Sequence, residues 1–578
     1  MQPFRTLLRR YWSAFMNTGG KRMTVKQNIL FGMITGTLWA ILTGPPVIDL
    51  ALALAFFVLV PCLLWLAATD RPRSLYRKRA HILARSSYWF ALFPMVALSI
   101  ESGLWAALLA GVWAFFTLLV AVNGGLHFIR RGTGAPEEAI IDVGQMFLFA
   151  GGVWLVLARA GAADWMPYST MTVDLTAIHY HYSAFVLPLF AGLFGRWYYS
   201  HQARLGVPPS MKRYAVLAAG LVVGSPFVAL GIAQGPPLEF IMVIFYVAFI
   251  FWLCVWVLVS ALKVGGIAGV CAGLASSSLL FTMGYTTLHG VGLHVGVKIV
   301  PLGEMLRWHG AVNAFVFSVL GTLAWLVVRP KPRYDETAFP VSRLRAGGYV
   351  GPDLVSQKGW GDEGKKSIGL LSEWSHFDRD DFSSAKVSEQ VKDFYLKTTQ
   401  YELKGDVLWR WTWFSTLSRM CTRRMGQINL PPSGSADMDG SVVGIDDRKD
   451  GRESVRAWIR YNRDTGEPIF AAFYSSHKTR GVTYMNIGLP FPKGVMTGVL
   501  RPDNDEGEGL YLTSRKKVDQ SGDEGIYFTL GQITVKLPLN EVFHVVEKEG
   551  RLEAVHTMTV FGLRFLTIRY EISQRIDK

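Results

Sequence analysis

The sequence predicts a polytopic α-helical membrane bundle of about ten spans, followed by a soluble, mainly antiparallel β domain (a barrel or a sandwich). Three observations carry that prediction. Half of the 578 residues are hydrophobic and only 18% are charged, with a mean hydropathy of +0.25, whereas soluble chains carry about a quarter charged residues. Before residue 331 the apolar residues fall in runs suited to crossing a ~30 Å hydrocarbon core. The basic excess lies in the same half: residues 1–330 hold 23 Lys/Arg against 10 Asp/Glu, and residues 331–578 hold 36 against 34. A net charge of +15 distributed in this way belongs to membrane topology, and nucleic acid is not an expected partner. Disordered and collagen-like classes are excluded by the same composition. Cys62, Cys254, Cys271 and Cys421 show neither metal-ligand spacing nor a disulfide framework.

Residues 1–27 place Phe4, Leu7, Leu8, Tyr11, Trp12 and Phe15 on one side of a helix and Arg5 and Arg9 on the other. That pattern suits an interfacial amphipathic segment on anionic lipid. Residues 28–330 follow as the transmembrane domain, with spans over 28–44, 46–68, 87–101, 103–123, 143–161, 177–195, 214–233, 237–262, 264–286 and 308–328. Basic residues fill alternate connections, from Arg5 to Lys26, Arg71 to Arg85, Arg130 and Arg131, Arg196 to Arg213, Lys263, and Arg329 to Arg333. The positive-inside rule then puts both termini in the cytoplasm, which requires an even number of spans. The ninth span repeats small residues at Gly265, Gly269, Gly273 and Ser277, the pattern of a close helix–helix seam.

Polar residues collect at the other ends of the spans. Asp174, His179, His181, Glu304, His309 and Asn313 all fall there, and ionisable groups near the bilayer are functional candidates by default. His179 and His181 are two positions apart, about 200° around a helix, so they face opposite ways and one of them is expected to approach His309 or Asn313. These six are the candidate substrate- or proton-binding residues. His179, His181 and His309 are metal ligands only under an alternative reading, in which His179-Tyr180-His181-Tyr182 resembles the haem-ligand helix of haem–copper oxidases.

The pairing of Thr176-Ala-Ile-His179-Tyr-His181-Tyr-Ser-Ala-Phe185 with His309-Gly-Ala-Val-Asn313-Ala-Phe315 resembles the YndJ-like family of bacterial integral membrane proteins. The resemblance covers most of residues 28–330. It implies a multi-pass protein of the bacterial cytoplasmic membrane, of transporter type and without an established substrate.

Beyond Lys331 the text changes. Residues 331–385 read as a linker rich in turn formers, and residues 386–400 have helical spacing through Val387, Val391, Phe394 and Tyr395. Short aromatic and β-branched segments then recur about every ten residues up to residue 578, as in an antiparallel barrel or sandwich. Trp409, Trp411 and Trp413 alternate as on one strand face, and with Tyr484 and Phe528 they are candidates to line the interior. His477, His544 and His556 have no carboxylate at a telling spacing, and no phosphate loop occurs. No catalytic set is recognised and no cofactor is expected. The expected partners are the lipid bilayer and a small-molecule or lipid ligand. Three functions follow: a secondary transporter or permease with an outer His/Asp/Asn site; a membrane haem or metal redox protein using the outer histidines; and a sensor or scaffold presenting the β domain.

Overall fold

The computed structural model describes residues 24–68, 75–205, 211–235, 237–332, 339–365, 367–516, 522–531 and 533–575. The amphipathic segment expected over residues 1–27 lies almost wholly outside them. The chain divides into a helical unit, Met1–Phe128 with Ala135–Pro332, and a second unit, Ile129–Gly134 with Arg333–Lys578.

Ten long helices make up the first unit among the described residues: α1 Val25–Thr43, α2 Val47–Ala67, α3 Leu75–Leu98, α4 Leu104–Arg131, α5 Pro136–Arg159, α6 Thr170–Arg204, α7 Lys212–Gln234, α8 Leu238–Val264, α9 Gly266–Val295 and α10 Leu302–Val328. Nine are both long and apolar enough to cross a membrane. The exception is α3, whose first half carries Arg77, Lys78, Arg79 and Arg85. Even so, α3 packs against α1 and α2, and the Asn28 amide of α1 donates to Ser87 Oγ and to Ala84 O, both at 2.8 Å. Helix α1 starts where a capping box dictates: Thr24 Oγ1 accepts from Gln27 N, and the Gln27 side chain accepts from Thr24 N.

Helix α6 is the most enclosed span, with every residue from Leu187 to Trp197 buried. Outward faces stay apolar, as at Leu104, Trp105, Leu262 and Ile267, which suits lipid. Three of the helices change winding part-way. π-Helical segments occupy Ala55–Leu59 in α2, Tyr182–Val186 in α6 and Met305–Phe317 in α10. The glycine seam of α9 faces α8: a Cβ at Gly269 would stand 2.4 Å from Ala261 O.

The second unit is an antiparallel barrel. Its strands are β1 Tyr401–Trp409, β2 Gly434–Gly444, β3 Arg456–Asn462, β4 Pro468–Thr479, β5 Val482–Pro490, β6 Gly494–Asn504, β7 Leu510–Thr513, β8 Gly525–Leu530, β9 Ile533–Lys536, β10 Leu539–Lys548, β11 Arg551–Val560 and β12 Leu563–Gln574. The order β5-β4-β3-β2-β1-β12-β11-β10-β7-β6 closes through β5–β6 into a ten-stranded ring, and β8–β9 is a hairpin added to β6. Inside pack Leu403, Val407, Trp458, Tyr474, Ile568 and Tyr570, alternate residues on their strands.

Helix α11 (Glu389–Leu396) closes one end, with Phe394 edge-on to Tyr401 at 5.5 Å and close to Trp458 at 6.2 Å. At the other end the chain leaves β1 through α12 (Thr412–Met425). This corrects the reading of Trp409, Trp411 and Trp413 as one strand face. Only Trp409 is in β1, while Trp411 precedes α12 and Trp413 is within it. Tyr484 also departs from expectation, because its strand register turns it outward into a separate cluster with Val499 and Tyr527. The stretch read as a linker supplies core: Leu344, Val350, Leu354 and Trp360 cover the outward residues Ile459, Ala471 and Phe473 of β3 and β4.

Candidate functional site

Helix α6 presents its two histidines to opposite neighbours. His181 is fully buried, with Nδ1 2.8 Å from Ala177 O and Nε2 accepting the indole N–H of Trp113 at 3.0 Å. Those partners fix the neutral imidazole with its proton on Nδ1, and Phe56 of α2 meets the ring edge-on at 5.4 Å. The room comes from α5, where a Cβ at Gly151 would lie 2.8 Å from His181 Nδ1.

His179 turns to α10 instead. Its ring lies 6.4 Å from that of His309 and 24° from parallel, and its Nδ1 is 2.7 Å from Leu175 O. His309 heads a polar chain shared with α9. Its Nδ1 is 2.9 Å from Thr286 Oγ1 and 3.3 Å from Asn313 Nδ2, while Asn313 Oδ1 accepts the Thr282 hydroxyl at 2.7 Å. Both His309 and Asn313 lie in the thirteen-residue π-helical stretch of α10. Thr286 also lines a cavity of about 50 Å³ between α8 and α9, together with Glu239, His289 and His294. That is room for a water or two.

The structure thus brings His179, His309 and Asn313 together and leaves the other candidates apart. Asp174 is five positions before His179, about 140° around the helix, and its charged neighbours are Asp49 and Arg159. Glu304 pairs with Arg307 at 3.7 Å on an exposed turn. His181 has both nitrogens engaged inside the bundle, so it offers no lone pair toward the ligand set of the redox alternative. Among the described residues no group of three or more His, Cys, Asp or Glu is placed to hold a metal ion.

Sequence reasoning missed a second and more deeply buried polar network. The fourth span expected from the sequence ends at residue 123, short of His127, but α4 runs on to Arg131 and His127 lies on its buried face. Its Nδ1 meets both carboxylate oxygens of Asp142 (α5) at 2.9 and 3.1 Å, and Tyr76 of α3 stacks on the ring at 3.7 Å. The Gln145 amide donates to Tyr76 OH at 2.9 Å, and Asn123 reaches Gln145 at 3.4 Å.

Beside it Arg196 of α6 grips Glu138 of α5 in a bidentate pair at 2.6 and 2.7 Å, and also donates to Leu66 O and Ala67 O at the end of α2. The signal was present in the text: Glu138, Asp142 and Gln145 repeat at i, i+4 and i+7, one polar stripe on a helix whose remaining polar residues are Glu137 and Arg159 near its ends.

In the barrel unit each histidine discounted for want of a nearby carboxylate has a carboxylate partner. His477 meets Asp523 at 3.2 Å, His544 meets Asp505 at 2.6 Å, and His556 meets Glu541 at 3.2 Å inside the barrel. Pairing across the sheet and from the loops supplies these contacts, which spacing along the chain does not show.

Comparison with known proteins agrees with the architecture. The model of the family described as YndJ-like protein matches residues 50–317, which includes the histidines of α6 and the start of α10. The chain is 32% identical over 490 residues to the Bacillus subtilis (strain 168) protein called "Uncharacterized membrane protein YndJ", covering 84% of this chain and 86% of that protein. No solved structure matches. With that identity extending over the barrel unit as well as the bundle, the chain belongs to the YndJ-like family of multi-pass membrane proteins.

Proposed function

We propose that the chain is a secondary transporter or permease, and that His179, His309 and Asn313, with Thr282 and Thr286, form its polar site. The observation that supports this most directly is a half-buried histidine–amide–hydroxyl chain between α9 and α10, with the exposed His179 ring beside it, carried on a helix segment of π winding. Ionisable and amide groups at membrane depth mark ion and solute paths, and departures from α winding inside helices cluster at functional positions. An imidazole can take up and release a proton, which makes the proton the natural coupling ion. The buried His127–Asp142 and Glu138–Arg196 pairs then serve as polar supports on the neighbouring helices α4, α5 and α6. Both termini face the cytoplasm in this reading, following the distribution of basic residues.

Proteoliposomes with an entrapped pH dye test it. Proton movement driven by an imposed potential is expected for the native chain and is expected to be lost in His309→Ala and in His179→Ala. Equal proton movement in all three would remove these residues from the path, and none in the native chain under any solute gradient would remove the transport reading itself.

A further inference from the structure

Helix α12 is built inside out for a helix of a soluble domain. The face it turns to the barrel carries Ser415 and Thr422, which are 1% and 9% exposed, while Trp413, Leu417 and Met420 are 66%, 48% and 60% exposed. Spacing at i, i+4 and i+7 makes these three one stripe. The helix is anchored by other contacts: Phe414, met edge-on by Trp413 at 5.6 Å, packs on Trp409 and Phe565 at 5.9 and 5.4 Å, and Arg410 N donates to Phe565 O at 2.9 Å.

That bond ties the start of α12 to the start of β12, beside the β11–β12 turn, where Phe561 and Leu563 are 76% and 56% exposed. One end of the barrel therefore displays an apolar surface that folding does not use. Its charge is one-sided. From Val407 to Ala436 the chain has Arg410, Arg419, Arg423 and Arg424 and no Asp or Glu, and among the described residues Arg423 is the one of these that meets a carboxylate, Glu467 at 3.3 Å.

We infer that this face docks on the surface of an anionic phospholipid bilayer, with Trp413, Leu417 and Met420 inserted at the headgroup–acyl boundary and the arginines on the phosphates. An exposed Trp/Leu/Met stripe edged by arginine is the composition of an interfacial helix. The chain is itself embedded in a bilayer, so that surface is always within its reach. A soluble acidic protein matches the charge and the stripe as well, but the bilayer alone is present wherever the chain is. The inference is independent of the transport reading.

The test uses the full chain in nanodiscs of phosphatidylcholine alone or with phosphatidylglycerol. A fluorophore sensitive to polarity is attached at Leu417→Cys after the four native cysteines are replaced by Ser, and a second sample carries it at Glu547→Cys, near the opposite end of the barrel. Spin-labelled lipid is expected to quench the probe at 417 in phosphatidylglycerol discs and to leave the probe at 547 unquenched. Adding Arg419→Gln and Arg424→Gln is expected to lower the ratio of shielded to exposed probe about 25-fold, at roughly fivefold for each arginine near an anionic surface.

On the unaltered chain, tryptic cleavage after Arg419 and Arg424 is expected in phosphatidylcholine discs and lost in phosphatidylglycerol discs. A probe at 417 as exposed in phosphatidylglycerol discs as in detergent overturns the inference. So does shielding that is equal in detergent and in both discs, which would mark a second copy of the chain or another protein on this face.

Discussion

Trp113 donates its indole N–H to His181 Nε2 at 3.0 Å in the fully buried centre of the bundle. The bond fixes which way the motif of α6 divides. With His181 committed to α4 and its Nδ1 proton held by Ala177 O, His179 is the member of the pair left to face α10. The two histidines therefore have different occupations, one holding helices together and the other meeting the polar chain of His309.

Trp113→Phe removes the donor, together with part of the buried indole's volume. An acceptor left buried without its partner costs about 1–3 kcal/mol, so the melting temperature of the purified protein is expected to fall. Trp105→Phe, on an exposed face of the same helix, is expected to leave it unchanged. Equal melting of Trp113→Phe and the native chain would show that the bond contributes nothing.

Gly269→Leu sets a side chain against backbone, because a Cβ there meets Ala261 O at 2.4 Å, whereas a Cβ at Gly284 meets nothing within 4 Å. Overpacking of this kind costs about 1–3 kcal/mol. Lower yield and melting temperature are expected for Gly269→Leu, with Gly284→Ala close to native. The reverse order would mean that α8 and α9 do not meet at this seam.

Arg196 and Glu138 are both buried, and removing either takes from the other its bidentate partner. Arg196→Met and Glu138→Gln are each expected to destabilise by about 3–5 kcal/mol, with the Arg196→Met/Glu138→Gln double variant recovering part of the loss. A double-mutant cycle on thermal unfolding measures the coupling. Strict additivity of the two changes would show that the pair is not coupled.

Asp505 predicts a pH dependence in the barrel unit. The hydrogen bond with His544, together with the backbone N–H groups of Glu506 and Gly507, holds its carboxyl below the usual carboxylate range, against an upward push from burial. A depressed carboxyl contributes its full stability above the unfolded value of about 4 and loses it as pH falls through the lower folded value. Asp505→Asn is therefore expected to melt below the native chain at neutral pH, by no more than about 1 kcal/mol for a partly exposed pair. The two are expected to converge as pH falls below the carboxylate range. A gap that is constant with pH would point to packing instead.

The stretch before the barrel is expected to be required for its stability. A fragment of residues 339–578 keeps Leu344, Val350 and Trp360 on β3 and β4 and is expected to show a β-rich spectrum and a cooperative melt. Residues 386–578 alone expose that face and are expected to melt lower or aggregate. Identical melts would make the covering segment dispensable.

The spans were legible because lipid imposes one rule on every residue of a crossing helix. Their pattern survives even in α3, where only the apolar half showed. The His179–His309 approach was legible for a related reason, since helix periodicity separates His179 from His181 and membrane depth leaves few polar partners. The His127–Asp142 pair was hidden by its place near the end of α4, where four more residues of helix decide between a loop and a core.

Periodicity is also blind to closure. Nothing local tells Tyr401 that it will pair with Gln574, or Asp505 that it will meet His544. Helix α12 was missed because Trp409, Trp411 and Trp413 alternate as in a strand, although the chain turns at Arg410.

A ring that joins β1 to β12 also sets a timetable. Tyr401 pairs with Gln574, so the first strand leaves the ribosome with its final partner still unmade, and at 5–20 residues per second that partner is on the order of ten seconds away. During that interval β1 can hold only β2, and its other edge stays open. The ten helices have by then been synthesised, so membrane insertion is well advanced while the barrel is still an open sheet. Closure comes only after the last strand has cleared the exit tunnel, so the seam between β1 and β12 is the last part of the ring to form.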